Sequence, residues 1–113
     1  MNKRKIGKEH EEKAVIFLQG RGYKIIQCNY SCRYGEIDII AKDGGYIVFI
    51  EVKYRKNTML GSPEGAVDST KKQHIRRTAQ DFLIKNFGTD EVLCRFDVAA
   101  FTGNQIHLIK DAF

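Results

Sequence analysis

The feature that most constrains this chain is a pair of apolar runs joined by Asp43-Gly44-Gly45. Gly35-Glu36-Ile37-Asp38-Ile39-Ile40-Ala41 precedes the glycines, and Tyr46-Ile47-Val48-Phe49-Ile50-Glu51-Val52-Lys53-Tyr54 follows them. β-branched and aromatic residues dominate both runs, and a Gly-Gly step favours the tight, positive-φ turn of a hairpin. Two antiparallel strands are therefore expected, over 36–41 and 46–54. Both are too apolar to be an isolated ribbon, so further layers must cover them.

The rest of the chain supplies those layers. Ile6, His10, Ala14, Phe17 and Leu18 recur at helical spacing, and Gly20 and Gly22 end the pattern. The segment 23–30 reads as a first strand. A polar loop over 55–63, with Gly61 and the only proline, leads to a long helix starting at Glu64 or Asp68 and running to Asn86. Its expected buried stripe is Val67, Ile75, Ala79, Phe82 and Leu83, closed by Gly88. Strands over 92–101 and 105–109 follow, turning at Thr102-Gly103-Asn104. The order predicts a single α/β domain over 1–113. In it, three strands form a meander, and the long helix crosses over so that the fourth strand runs parallel to an earlier one.

Charges inside the two central strands need an explanation. Alternation puts Glu36 and Asp38 on one face and Ile37 and Ile39 on the other, and Glu51 and Lys53 together on a face of the next strand. A two-residue Gly44-Gly45 turn sets Asp38 opposite Glu51 and Glu36 opposite Lys53, with opposed side chains about 5 Å apart. Carboxylates that close repel unless a positive charge lies between them. Mg²⁺ or Mn²⁺ held by Asp38, Glu51, the Val52 carbonyl and waters satisfies that requirement. Lys53 is then placed to orient water and offset charge on a phosphodiester. The alternative is a cross-strand salt-bridge cluster on a solvated face. Glu11 sits at the edge of the first helix's apolar stripe, where it either points over the sheet toward the same acids or is a boundary glutamate. Glu9 and Glu12 are expected to face away.

The net charge of +5, from 19 Lys and Arg against 14 Asp and Glu, favours an anionic partner. Arg33 and Tyr34 before the second strand, and Tyr54, Arg55 and Lys56 after the third, fall at one edge of the sheet. The long helix adds Lys71, Lys72, His74, Arg76 and Arg77, a footprint for phosphates or simply a solvated face. No apolar core follows Met1-Asn2-Lys3-Arg4-Lys5, since Lys8, Glu9, Glu11, Glu12 and Lys13 come next, and the run 46–50 is too short to span a bilayer, so a cytoplasmic protein off the membrane is expected. Cys28, Cys32 and Cys94 lack zinc-site spacing and read as small apolar residues.

The central motif, Gly35 to Ala41 followed by Phe49-Ile50-Glu51-Val52-Lys53-x-Arg55, resembles the YraN-like family. That family is in turn similar to the PD-(D/E)XK nuclease superfamily and to archaeal Holliday-junction resolvases. Gly7-x-x-x-Glu11-x-x-Ala14, Gly22-Tyr23, Asn29-Tyr30, Gly61, Ala66-Val67 and Lys71 extend the match over nearly the whole chain. Ile37 stands where the superfamily often has proline, and His10 where the family often has a small residue. The resemblance implies a restriction-endonuclease-like αβββαβ core: a mixed central sheet flanked by helices. It maps Asp38, Glu51 and Lys53 to the metal-and-lysine core and Glu11 to the helical acid. The expectation is a Mg²⁺- or Mn²⁺-dependent, structure-selective DNA endonuclease acting on branched DNA, as a homodimer where cleavage is symmetric. Arg33, Tyr34, Arg55, Lys71, Lys72 and Arg76 would contact the nucleic acid. The alternative is a non-catalytic nucleic-acid-binding module with the same fold.

Overall fold

The computed structural model describes residues 3–55 and 68–113. The loop over 56–63, Lys56, Gly61, Ala66, Val67, and the side chains of Ile6 and Arg55 lie outside the described residues. The elements are α1 (Lys3–Gly20), β1 (Lys24–Cys32), β2 (Gly35–Asp43), β3 (Tyr46–Arg55), α2 (Ser69–Phe87), β4 (Cys94–Thr102) and β5 (Gln105–Ile109). This is the expected order. The strands form one sheet in the order β1-β2-β3-β4-β5. β1, β2 and β3 are an antiparallel meander, β3 and β4 run parallel, and β5 returns antiparallel. The parallel pair requires the chain to cross the sheet, and α2 lies in that crossover.

Local chemistry sets the boundaries. Asp43 pairs with Tyr46 across a two-residue Gly44-Gly45 turn, with Gly44 at φ 59°. Asp68 caps α2, its carboxylate accepting from the Lys71 backbone N–H at 2.8 Å. Gly88, at φ 74°, ends the helix by donating to the Ile84 carbonyl.

The sheet separates two cores. On one face Ala14 and Leu18 of α1 pack with Tyr23, Ile39, Ala41, Val48, Ile50, Ala99 and Phe101. On the other, Ile75, Ala79, Phe82 and Leu83 of α2 pack with Ile37, Ile40, Ile47, Phe49, Val98 and Ala100. Each large apolar side chain fully buried in these layers is worth about 1.5–3 kcal/mol. All three cysteines are free. Among the described residues, no helix is long and apolar enough to cross a membrane.

One expectation fails, and its failure shapes the site. Strict alternation puts Ile37 and Ile39 on one face. Instead Ile37 enters the α2-side core and Ile39 the α1-side core. Their β1 partners, Tyr30 and Cys28, divide the same way. Asn29 between them has φ 56°, a left-handed conformation that asparagine adopts more readily than most residues. The alternation resets at Asn29 and Asp38.

Candidate active site

Pairing of β2 with β3 ends at Ile39 and Ile50, so the expected pairing of Glu36 with Lys53 does not form. Continuing the register by one residue aligns Asp38 with Glu51. There the Asp38 side chain takes over from the backbone ladder: its Oδ2 accepts from the Val52 N–H at 2.8 Å. Val52 therefore meets the site through its N–H as well as through its position beside Glu51.

Glu51 is only 4% exposed. Its Oε2 lies 3.6 Å from the Lys71 ammonium, while Oε1 is buried with no hydrogen-bond partner among the described residues. A buried carboxylate oxygen without a donor is costly. Burial pushes Glu51 up to about 7, with the charge of Asp38 adding to the rise and Lys71 and Lys53 opposing it. Burial also raises Asp38, against the Val52 N–H and the two lysines. Lys53 is drawn down to about 8 by burial and by its contact with Lys71. For Lys71 itself, burial pulls downward but is outweighed by Lys53 and the two acids, and the net shift is up. Two acids and two lysines thus share a half-dry space, each perturbing the others.

Clefts open on both sides of Asp38. The larger, about 750 Å³, lies against α1 and is lined by His10, Glu11, Glu12, Asn29, Glu36 and Tyr54 among others. Glu11 does point over the sheet, and its Oε1 accepts from Asn29 Nδ2 at 2.8 Å. Burial raises its pKa, Asn29 opposes, and Asp38, Glu36 and Glu12 raise it further. Glu12, expected to face away, also lines this cleft. The smaller cleft, about 390 Å³, lies against α2, with Glu51, Lys71 and His74 in its walls.

The expected nucleic-acid contacts have different partners. Lys71, partly exposed, pairs with Glu51. Lys72 and Arg76 turn to the chain's end, their cationic groups 5.7 and 5.6 Å from the Phe113 ring centre. Arg33 lies over Tyr34 in the β1–β2 turn, 4.8 Å from its ring centre, and donates to its hydroxyl. The Arg55 side chain lies outside the described residues.

Several residues were not anticipated. His10 packs at a tilt against Tyr54 with ring centres 4.1 Å apart and meets Phe101 edge-on at 4.9 Å, and His10 and Tyr54 both line the larger cleft. Asn29 orients Glu11, and His74 joins the smaller cleft. Near the hairpin, Arg95 forks onto the fully buried Asp97 at 2.9 and 3.0 Å, and also reaches Tyr23 and Asp43. The signal for this last cluster was Arg95-x-Asp97, two charges on one face of an apolar strand.

Among the described residues, no three His, Cys, Asp or Glu side chains converge as a complete metal cage. Mg²⁺ does not need one, since it commonly binds one or two carboxylates and keeps several waters. Asp38 and Glu51 are the pair able to hold such an ion, and the unpartnered Oε1 of Glu51 is the atom that gains most from it.

Comparison with known proteins places this sequence in a family. The sequence model of the uncharacterised protein family UPF0102 matches residues 10–101. A UPF0102 protein of Lachnoclostridium phytofermentans is 45% identical over 113 residues, spanning all of this chain and 96% of that one. One from Caldicellulosiruptor saccharolyticus is 44% identical over the full length of both. The UPF0102 protein YraN of Escherichia coli O1:K1 is 43% identical over 108 residues, 95% of this chain and 82% of its own. The chain belongs to the uncharacterised protein family UPF0102, as its resemblance to YraN implied.

Proposed function

We propose that this protein is a Mg²⁺- or Mn²⁺-dependent endonuclease that hydrolyses phosphodiester bonds in branched DNA, on a restriction-endonuclease-like αβββαβ core. The observation that carries this reading is the Asp38–Glu51 pair, Asp38 half-buried and Glu51 buried, with Glu51 Oε1 unpartnered among the described residues and Lys53 two residues along the same strand. Asp38 and Glu51, with the Val52 carbonyl, would hold the cation. When bound, it would screen the phosphate and acidify water.

The chain's own residues supply the rest. The Val52 N–H fixes the Asp38 carboxylate, so the acid does not have to be ordered when substrate arrives. Lys53, two residues from Glu51 on the same strand, orients the attacking water and offsets the charge that builds on the phosphate. Glu11, held by Asn29, assists from the α1 side. Arg33, Tyr34, Arg55, Lys72 and Arg76 contact phosphates and bases outside the cleft. Recognition rests on backbone shape rather than base sequence. Symmetric cutting of a junction uses two copies.

The Glu51–Lys71 ion pair supports a second reading, in which the acids brace a nucleic-acid-binding module that does not cut. Labelled branched, single-stranded and duplex DNA incubated with Mg²⁺ or Mn²⁺ separates the two. Cutting of branched DNA that is lost in both Asp38→Ala and Lys53→Ala supports the endonuclease. Absence of cutting in either metal, with binding that survives Asp38→Ala, supports the binding module.

A further inference from the structure

The Lys71 ammonium lies 3.6 Å from Glu51 Oε2, beside the pair of acids proposed to hold a divalent cation. Its backbone is fixed in the first turn of α2 by the Asp68 cap, so the side chain projects toward β3 from a set point. Yet its contact with Glu51 is loose, at 3.6 Å with the lysine side chain 42% exposed. Half-exposed ion pairs at this distance contribute little, and a lysine ammonium on its flexible stem redirects easily. The pairing also leaves Glu51 Oε1 without a hydrogen-bond partner among the described residues, so Lys71 satisfies only one oxygen of the acid.

The two clefts differ in what they can accept. The α1-side cleft presents four acids, Glu11, Glu12, Glu36 and Asp38, against one lysine, Lys8. The α2-side cleft shares Glu36 and Asp38 and adds Glu51, with Lys71 and His74 contributed by one face of α2. Of the two, the second holds the Asp38–Glu51 pair together with the lysine that reaches it, and carries less excess negative charge against a phosphate.

We propose that Lys71 is a stand-in cation: it pairs with Glu51 in the metal-free protein, and turns to the scissile phosphate in the α2-side cleft once a divalent cation takes its place. DNA therefore enters from the α2 side. This inference rests on the reading of the site as a phosphodiesterase centre.

Two consequences are measurable on the intact chain. Removing a competitor for Glu51 tightens the metal: Mn²⁺ titrated at a fixed pH of about 8 should bind Lys71→Met about three- to fivefold tighter than wild type, the scale of a half-exposed ion pair. Lys42→Met, which removes a distant exposed charge, should leave Mn²⁺ affinity unchanged. Should Lys71→Met not fold, Lys71→Gln keeps a donor over Glu51 and should show the same direction. The second consequence appears in binding of branched DNA, followed by fluorescence anisotropy in a Lys53→Ala background to prevent cutting. There Lys71→Met should weaken binding severalfold in Mn²⁺ and hardly at all without it.

Mn²⁺ affinity that is unchanged or weaker in the Lys71 variants overturns the proposal, as does an equal DNA-binding loss with and without metal. The underlying reading fails separately. If wild type takes up Mn²⁺ more weakly than Lys71→Met but cuts no DNA, the cation exchange stands and the hydrolytic reading falls. If wild type cuts DNA while Lys71→Met binds Mn²⁺ no more tightly, the reverse holds.

Discussion

The Val52 N–H donates to Asp38 Oδ2 at 2.8 Å, just beyond the last backbone pair of β2 and β3, Ile39 with Ile50. A side chain there replaces a ladder bond and is held in the plane where the strands stop pairing. Asp38 is consequently both an acid of the site and a structural acceptor. The two roles separate by substitution. Asp38→Asn keeps an oxygen for Val52 and should fold about 1 kcal/mol more stably than Asp38→Ala, which leaves the N–H unpaired. Urea denaturation in chelator measures the difference. Both variants should fail to cut DNA.

Stability without metal should depend on pH in a defined way. Glu51 rises from 4.5 to about 7, so the folded protein holds that proton more tightly than the unfolded chain does. The associated stability is full below about pH 4.5 and is lost as pH rises through 7. Lys53 is displaced the other way, from 10.5 to about 8, so its contribution is full above 10.5 and is lost as pH falls through 8. The metal-free protein should therefore be weakest between about pH 7 and 8. The Glu51 part amounts to about 3 kcal/mol, and the Lys53 part to less because that side chain is half exposed. Comparing unfolding midpoints of wild type and Glu51→Gln from pH 5 to 8 in chelator isolates the acid: the variant should gain on wild type as pH rises.

Glu11 should matter for turnover and not for folding. Its hydrogen bond to Asn29 is exposed, so Glu11→Gln should shift stability by less than about 0.5 kcal/mol. Loss of its charge beside Asp38 should slow single-turnover cleavage by about tenfold or more. An unchanged cleavage rate would reduce Glu11 to a boundary residue of the helix.

The Arg95 cluster should show the opposite behaviour. Asp97 is fully buried and relies on Arg95, Tyr23 and the Asp111 N–H. Arg95→Met strips the buried carboxylate of its cation and should cost about 3–5 kcal/mol. Cleavage per folded molecule should not change, since the cluster lies toward the hairpin. Chemical denaturation and activity at low temperature test the two halves of this statement.

Much of this architecture was readable in advance because it is local. Gly44-Gly45 sets the hairpin register, which brings Asp38 alongside Glu51, and Asp68 and Gly88 mark the ends of α2. The reset of alternation at Ile37 and Ile39 was not readable. It depends on a positive φ at Asn29 in one strand and on a side-chain bond from Asp38 to Val52 in another. Lys71 over Glu51 and Arg95 with Tyr23 and Asp43 were hidden for the same reason: they join residues distant in sequence, and a charge on a helix or strand does not disclose its partner. The basic residues of α2 illustrate the limit. Lys71 and Lys72 are neighbours in sequence, yet one reaches the acids and the other lies over Phe113.

The central claim is that the Asp38–Glu51 pair is built around a divalent cation. Titration of the metal-free protein with Mn²⁺, compared with Asp38→Asn and Glu51→Gln under the same conditions, tests it most directly. Saturable binding in wild type that is lost in both variants is the predicted result. No binding in wild type, or equal binding in all three proteins, would contradict the account.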